Sequence, residues 1–378
     1  MMKKAAALLV AVIFLLAGCK QSGNANEGGR LVSVDNTYMT GAWLSYSEIN
    51  GMLDSGDFEG EFKSLVKNLR SLKITDLFMH VRAFCDSIYP SSLFKQTDLS
   101  EKYGDVLLFA VGECHNNGMR LHAWINPYRV KNGTNDINTL PDGCAAKNLY
   151  LKSAENISVT QSGIYLNPAS SECRKLIIDG IREILLNYPV DGIHFDDYFY
   201  PDTGEDFDGE SFKAYCENTA GGDLYGFRRA NVNALVSGCY TAIKFIDKNV
   251  TFSISPAADI NKNRDVLCAD IKAFCASGCV DMIIPQLYFG FCYPDNSFCF
   301  ENLLCGWKEL IKGTGVKLAV GLAAYKVGTD KAPDCDEWAT DFTVLKRQSE
   351  ICKRDADICG HVYFSCTSLL SKNTLDNL

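Results

Sequence analysis

Between residues 41 and 365 the chain runs a short β-rich stretch eight times, and longer amphipathic stretches fill the gaps. This alternation constrains the fold more than any other feature, because consecutive parallel strands need a long crossover and a helix supplies one. The expected strands are Gly41–Tyr46, Ile74–Arg82, Met119–Asn126, Val190–Asp196, Thr251–Ser255, Asp281–Gln286, Val316–Ala323 and Gly360–Ser365. Glu59–Leu72 carries apolar residues at 62, 65, 66 and 69, the spacing of one helix face. Ser171–Tyr188, Phe227–Ile246 and Trp338–Cys352 read the same way. The first of these opens at a Ser170 or Ser171 cap and stops before Pro189. Eight such units predict an α/β chain closed into a (β/α)8 TIM-type barrel over residues 39–378. An open doubly wound sheet ranks second, since no GxGxxG follows the first strand and no GxxxxGK[ST] occurs anywhere. Long loops follow the third and fourth strands, at roughly residues 127–170 and 197–225, as barrel enzymes carry them on the active-site face.

Strand alternation sorts the side chains. In the fourth strand Gly192, His194 and Asp196 share the face expected to point inward, with Ile193 and Phe195 turned to the helices. By the same rule His122, Trp124 and Asn126 point inward from the third strand, and Ile284 and Gln286 from the sixth. Phe78, His80 and Arg82 share one face of the second strand. Barrel interiors are ordinarily filled by branched apolar residues. Here Arg82, Asn126, Asp196 and Gln286 gather at the C-terminal strand ends, with three of the five histidines one layer below. Buried polar groups cost free energy unless paired, so such a ring reads as a binding site rather than as core.

The first residues read as an address. Lys3 and Lys4 precede an apolar run from Ala5 to Leu16, too short for a membrane span and suited to a signal peptide. The segment 1–19 closes on Leu16-Ala17-Gly18-Cys19, which resembles a bacterial lipobox with Cys19 as the lipidated residue. Residues 20–38 are polar and glycine-rich at their start and read as a flexible tether. The expectation is therefore an exported protein held to a membrane by lipid on Cys19. A net charge of −9 argues against nucleic acid as a partner. Of seventeen cysteines, sixteen remain once Cys19 is set aside. No CxxC pair occurs, and Cys114, Cys173, Cys239, Cys275 and Cys366 stand where a helix or strand accepts a small apolar residue. Reduced, packed cysteines are expected over a disulfide framework or a zinc site.

The segments GAWLSY, HVRAFCDSIYPSSLF, LHAWINPYRV, YLNPAS, DGIHFDDYFYP, FSISPA, PQLYFGF, LAVGLAAYKVG and the terminal YFS together resemble the glycosyl-hydrolase-like 10 family. They run in order from about residue 40 to 370. The resemblance implies a lipoprotein barrel acting on bacterial cell-wall glycan, namely peptidoglycan strands stripped of their peptides. Two departures stand out. Ala257-Ala258-Asp259 replaces a common glycine after Ser255-Pro256, and the short final helix after Ser368 points to less complete barrel closure.

Glycoside cleavage needs a carboxylic acid for the leaving oxygen and a second carboxylate, or the substrate's acetamido group, at the oxocarbenium-like centre. Asp196 and Asp197 are the candidate catalytic pair, Asp196 being the inward one. Asp197 joins it only where the strand has already ended; otherwise it orients Arg129 or a loop amide. The segment also resembles the DxxDxDxE strand of chitinase-type enzymes, but Tyr198 occupies the position of the glutamate. The proton donor therefore stays open among the pair and Asp86, Asp259 and Glu48. Candidate substrate-binding residues are Arg82, Asp86, Trp124, Asn126, Tyr128, Arg129, His194, Tyr198, Asp259, Gln286 and Tyr288, with Trp43 available as a further subsite floor. The partner is a polysaccharide, and neither cofactor nor metal is called for. A non-catalytic glycan-binding lipoprotein is the rival reading. A metal-dependent hydrolase built on His80, His122 and His194 is a weaker one, since the first strand lacks an HxH pair.

Overall fold

The structure is a computed structural model that describes residues 38–201, 204–219, 221–329 and 336–378. Eleven strands are present among the described residues: β1 Met39–Leu44, β2 Asp76–Arg82, β3 Arg120–Ile125, β4 Arg129–Asn132, β5 Ile157–Thr160, β6 Gly163–Leu166, β7 Gly192–Phe195, β8 Thr251–Ile254, β9 Met282–Ile283, β10 Lys317–Ala323 and β11 Ile358–Phe364. Eight close into a parallel barrel in the order β1-β11-β10-β9-β8-β7-β3-β2. Each expected strand overlaps one of these eight, and the fold is the expected (β/α)8 barrel. β9 is the shortest, because Pro285 has no amide hydrogen for the ladder. Beyond it Gln286 makes only isolated bridges, to Ala257 and Gly321.

Closure is complete despite the short terminal helices Cys366–Leu369 and Lys372–Leu375. The seam is made by backbone pairing of Met39 to Trp43 against Gly360 to Phe364, which no final helix is needed to hold. The loop after β3 is elaborated into an antiparallel sheet of order β4-β6-β5.

Two apolar layers hold the molecule together. The larger lies between barrel and helices and takes Leu77, Met79, Val81, Ile193 and Phe195 from the outward strand faces. The smaller fills the barrel with Met39, Trp43, Phe78, Trp124, Met282, Ile284, Ala319 and Val362. Ser170 caps the helix Ser171–Asn187 by accepting from Cys173 N at 3.2 Å. The helix expected over 338–352 is broken into Glu337–Thr340 and Val344–Arg354. The break is local turn chemistry: Asp341 leaves helical geometry, and its carboxylate accepts from Thr343 N and Oγ1.

All fifteen described cysteines are free thiols, and ten are buried. Burial pushes thiols such as Cys85, Cys275 and Cys352 up to about 12, which keeps them protonated and unreactive. No helix among the described residues is long and apolar enough to cross a membrane. The leader, the lipobox with Cys19 and the tether up to residue 37 lie outside the described residues.

Candidate active site

β7 delivers the central pair. His194 points into the barrel, while Phe195 packs outward against Phe252 with ring centroids 5.2 Å apart. The strand stops at Phe195 because Asp196 Oδ1 accepts the amide of Tyr198 at 3.1 Å, a turn that competes with the ladder. Past that point alternation no longer applies. Asp196 and Asp197 therefore line the same cavity, of about 550 Å³, at the C-terminal end of the barrel.

The two carboxyls sit in different surroundings. Asp196 is buried, and its Oδ2 accepts from Trp124 Nε1 at 3.1 Å. Burial and the neighbouring charge of Asp197 push it up to about 7, against the opposing pull of Tyr198 N, Arg129 and Trp124. Asp197 is only partly exposed, and burial raises it too. Its own backbone amide, the Gln286 side chain, Lys262 and Arg129 all oppose that rise. Gln286 is itself held by donating to Ser255 O at 3.0 Å and to Ser255 Oγ at 3.2 Å.

Aromatic and polar groups build the walls. Trp124 stacks on His80 at 3.9 Å, and Arg129 lies over the Tyr198 ring at 3.7 Å. Tyr288 meets Tyr325 edge-on at 5.8 Å and leans on Phe364 at 5.9 Å. Asn126 Nδ2 donates to Ala83 O at 3.1 Å, which leaves Oδ1 free to accept. Glu48 lies in the same cavity, but its oxygens are engaged by Ser45 N, Ser45 Oγ, Ser365 Oγ and Thr367 N. It is a clamp between the ends of β1 and β11.

Trp124, Asn126, Arg129, Asp196, Asp197, Tyr198, Gln286 and Tyr288 are thus brought together, with Trp43 beside them. Five expected residues lie elsewhere. Arg82 turns to the helix layer, because the pairing of β2 with β3 shifts register between His80 and Arg82. Its guanidinium stacks on Phe94 at 3.7 Å. Asp86 lines a neighbouring pocket with Phe84, Lys95 and Lys131, where burial pushes it up to about 6. Tyr128 is buried among Arg174, Cys239 and Cys173, because β3 ends at Ile125 and strand alternation no longer applies to it. Asp259 caps the helix Ile260–Asp265 through the amides of Asn261 and Lys262. His194 lies beneath the cavity, between Trp43 Nε1 at 3.1 Å and Ser253 Oγ at 2.8 Å.

The three inner histidines do not converge on one point. His122 is bound to Asp76 at 2.8 Å and stacked on Phe78 at 4.3 Å, whereas His80 lines the cavity above. Sequence reasoning missed Tyr46, Tyr325 and Ser365 as cavity residues. Each stands one or two positions past the end of a barrel strand, and that position is the signal that finds them.

The profile of the family described as Glycosyl hydrolase-like 10 matches residues 38–340. The chain is 29% identical over 341 residues to Glycosyl hydrolase YngK of Bacillus subtilis (strain 168), covering 83% of this chain and 64% of that protein. It is 29% identical over 331 residues to Glycosyl hydrolase DigH of Escherichia coli (strain K12), covering 79% and 73%. Among solved structures, the glycoside hydrolase domain of PgaB (BpsB) from Bordetella bronchiseptica superposes with a TM-score of 0.54 at 11% identity, covering 89% of this chain and 97% of that one. Alpha-L-fucosidase isoenzyme 2 from Paenibacillus thiaminolyticus gives 0.52 at 10% identity, covering 84% and 44%. At such identities the likeness is one of fold.

Proposed function

The chain belongs to the glycosyl hydrolase-like 10 family, and from that premise we propose that it is a glycoside hydrolase with Asp196 as proton donor and Asp197 as ionised partner. One observation carries the reading: two adjacent carboxyls share a cavity at the functional end of the barrel, where burial raises both and the charge of Asp197 raises Asp196 further. The charge of Asp197 is itself a reason that Asp196 keeps its proton. Asp196 delivers that proton to the glycosidic oxygen as the bond breaks. The Asp197 carboxylate faces the positive charge that develops on the sugar, and water adds to the anomeric carbon, its released proton restoring the acid form of Asp196. Trp43, Trp124 and Tyr288 offer apolar ring faces to the sugar, while Asn126, Arg129 and Gln286 take its polar groups.

The substrate proposed is cell-wall glycan, specifically peptidoglycan strands free of peptide. The family resemblance carried by WINPYR and DGIHFDDYFYP supports it. The protein is further proposed to be exported and anchored by lipid on Cys19, on the strength of the charged, apolar leader and its lipobox.

The test is incubation with peptide-free peptidoglycan glycan strands followed by mass analysis of the products. Wild type is expected to release shorter saccharides, and Asp196→Asn to lower kcat by about 10²- to 10⁴-fold. If wild type binds the strands yet releases no reducing ends at any pH, the protein is a glycan binder and the enzyme reading is wrong.

A further inference from the structure

Buried polar side chains almost always find hydrogen-bond partners, and each exception calls for a reason. Several exceptions fall on one wall of the cavity, where β2 and β3 end. His80 is 2% exposed, yet neither Nδ1 nor Nε2 has a partner among the described residues. Asn126 Oδ1 and Arg129 Nε are unpartnered in the same way. All three residues line the cavity that holds the aspartate pair.

The wall is held in place by everything except hydrogen bonds to those atoms. His80 faces Trp124 in the strand register and lies flat on its indole, 3.9 Å away and 7° from parallel. Tyr46 abuts the imidazole edge-on at 5.7 Å. The same indole donates to Asp196, so His80 sits one ring away from the carboxyl. Asn126 is fixed by its bond to Ala83 O, and Arg129 by its stack on Tyr198.

We propose that His80 is a substrate-binding residue, and that with Asn126 and Arg129 it forms a wall that hydrogen-bonds the hydroxyl groups of the sugar ring seated against Asp196. The proposal rests on the glycosidase reading and adds to it a residue and a ligand group. A sugar hydroxyl donates one bond and accepts others, and an uncharged imidazole offers one acceptor and one donor. Burial and the Arg129 charge both keep the imidazole uncharged. Asn126 Oδ1 accepts and Arg129 Nε donates, so vicinal hydroxyls find both kinds of partner there. Leaving such groups unpaired costs stability in the free protein, as is common at sites kept ready for a ligand.

His80→Phe tests this, because phenylalanine keeps a ring against Trp124 and removes both nitrogens. The expected result is a melting temperature unchanged or raised, with KM for peptide-free peptidoglycan glycan strands up about tenfold or more and kcat changed less. His80→Asn, which restores a donor and an acceptor, is expected to recover part of the loss. A melting temperature lowered by several degrees in His80→Phe would make His80 a structural prop and overturn the proposal. So would an unchanged KM beside an active wild type. A wild type that neither binds nor cleaves the strands removes the glycosidase reading itself, and the sugar wall with it.

Discussion

Asp196 and Asp197 share a peptide bond and a cavity, and burial makes both hold a proton more tightly than a free carboxylate does. Burial and the Asp197 charge raise Asp196 above the ordinary carboxylate range, so its protonated form predominates below about 7 and is lost as pH rises through that value. An enzyme using it as an acid should therefore show kcat/KM falling on the alkaline side of about pH 7, with a slope of one proton. A profile flat from about pH 6 to 9 would take Asp196 out of that role. The same raised pKa makes the folded chain hold this proton more tightly than the unfolded one. Its contribution to stability is thus full at low pH and diminishes as pH climbs from the unfolded value toward 7. Asp196 was legible from strand parity alone. Asp197 was legible only conditionally, because its orientation depends on where β7 stops, and an Asp196–Tyr198 turn decides that. Arg82 departs from parity for the complementary reason: a register shift between His80 and Arg82 reverses it and leaves no mark in hydrophobic pattern.

At the level of elements, strands and helices were largely readable because their periods differ and each buries one face. Irregularities were not. The break at Asp341–Thr343 and the short β9 come from single side chains, a turn-forming carboxylate and a proline, that a window average dilutes. Gly192, in the most informative segment of the chain, shows what the strands require of one another. It lies beside His122 in the β3–β7 register, and a Cβ there would sit 2.0 Å from His122 Nδ1. That ring cannot withdraw, since Phe78 stacks on one side of it and Asp76 holds Nε2. The Asp76 anchor is firm: burial works to raise that carboxyl, but hydrogen bonds from His122 and Arg120 overcome it and hold it at about 2. Gly192→Ala should therefore overpack the barrel interior and cost at least about 2 kcal/mol. The reading is the urea midpoint at unchanged m-value. A midpoint equal to wild type would mean that the barrel interior yields more easily than this packing implies.

For the molecule as a whole, strand direction sets where the two ends of the barrel point. All eight barrel strands run parallel, β1 starts at Met39, and the cavity gathers at their C-terminal ends. Whatever precedes residue 38 therefore joins the barrel at the pole away from the cavity. We propose that Cys19 carries lipid, as the lipobox implies. Two measurements follow. A clickable fatty-acid analogue fed to cells should label the wild-type protein and leave Cys19→Ala unlabelled; labelling of both would place the lipid elsewhere. Exchanging residues 1–19 for a leader cleaved without lipidation should release the protein from the membrane fraction. Because β1 starts at Met39, at the pole opposite the cavity, kcat/KM on soluble glycan strands should then stay within about twofold of that of the chain with its own leader, as expected for a change remote from the site. A loss of about tenfold or more would mean that residues before 38 contribute to binding at the cavity.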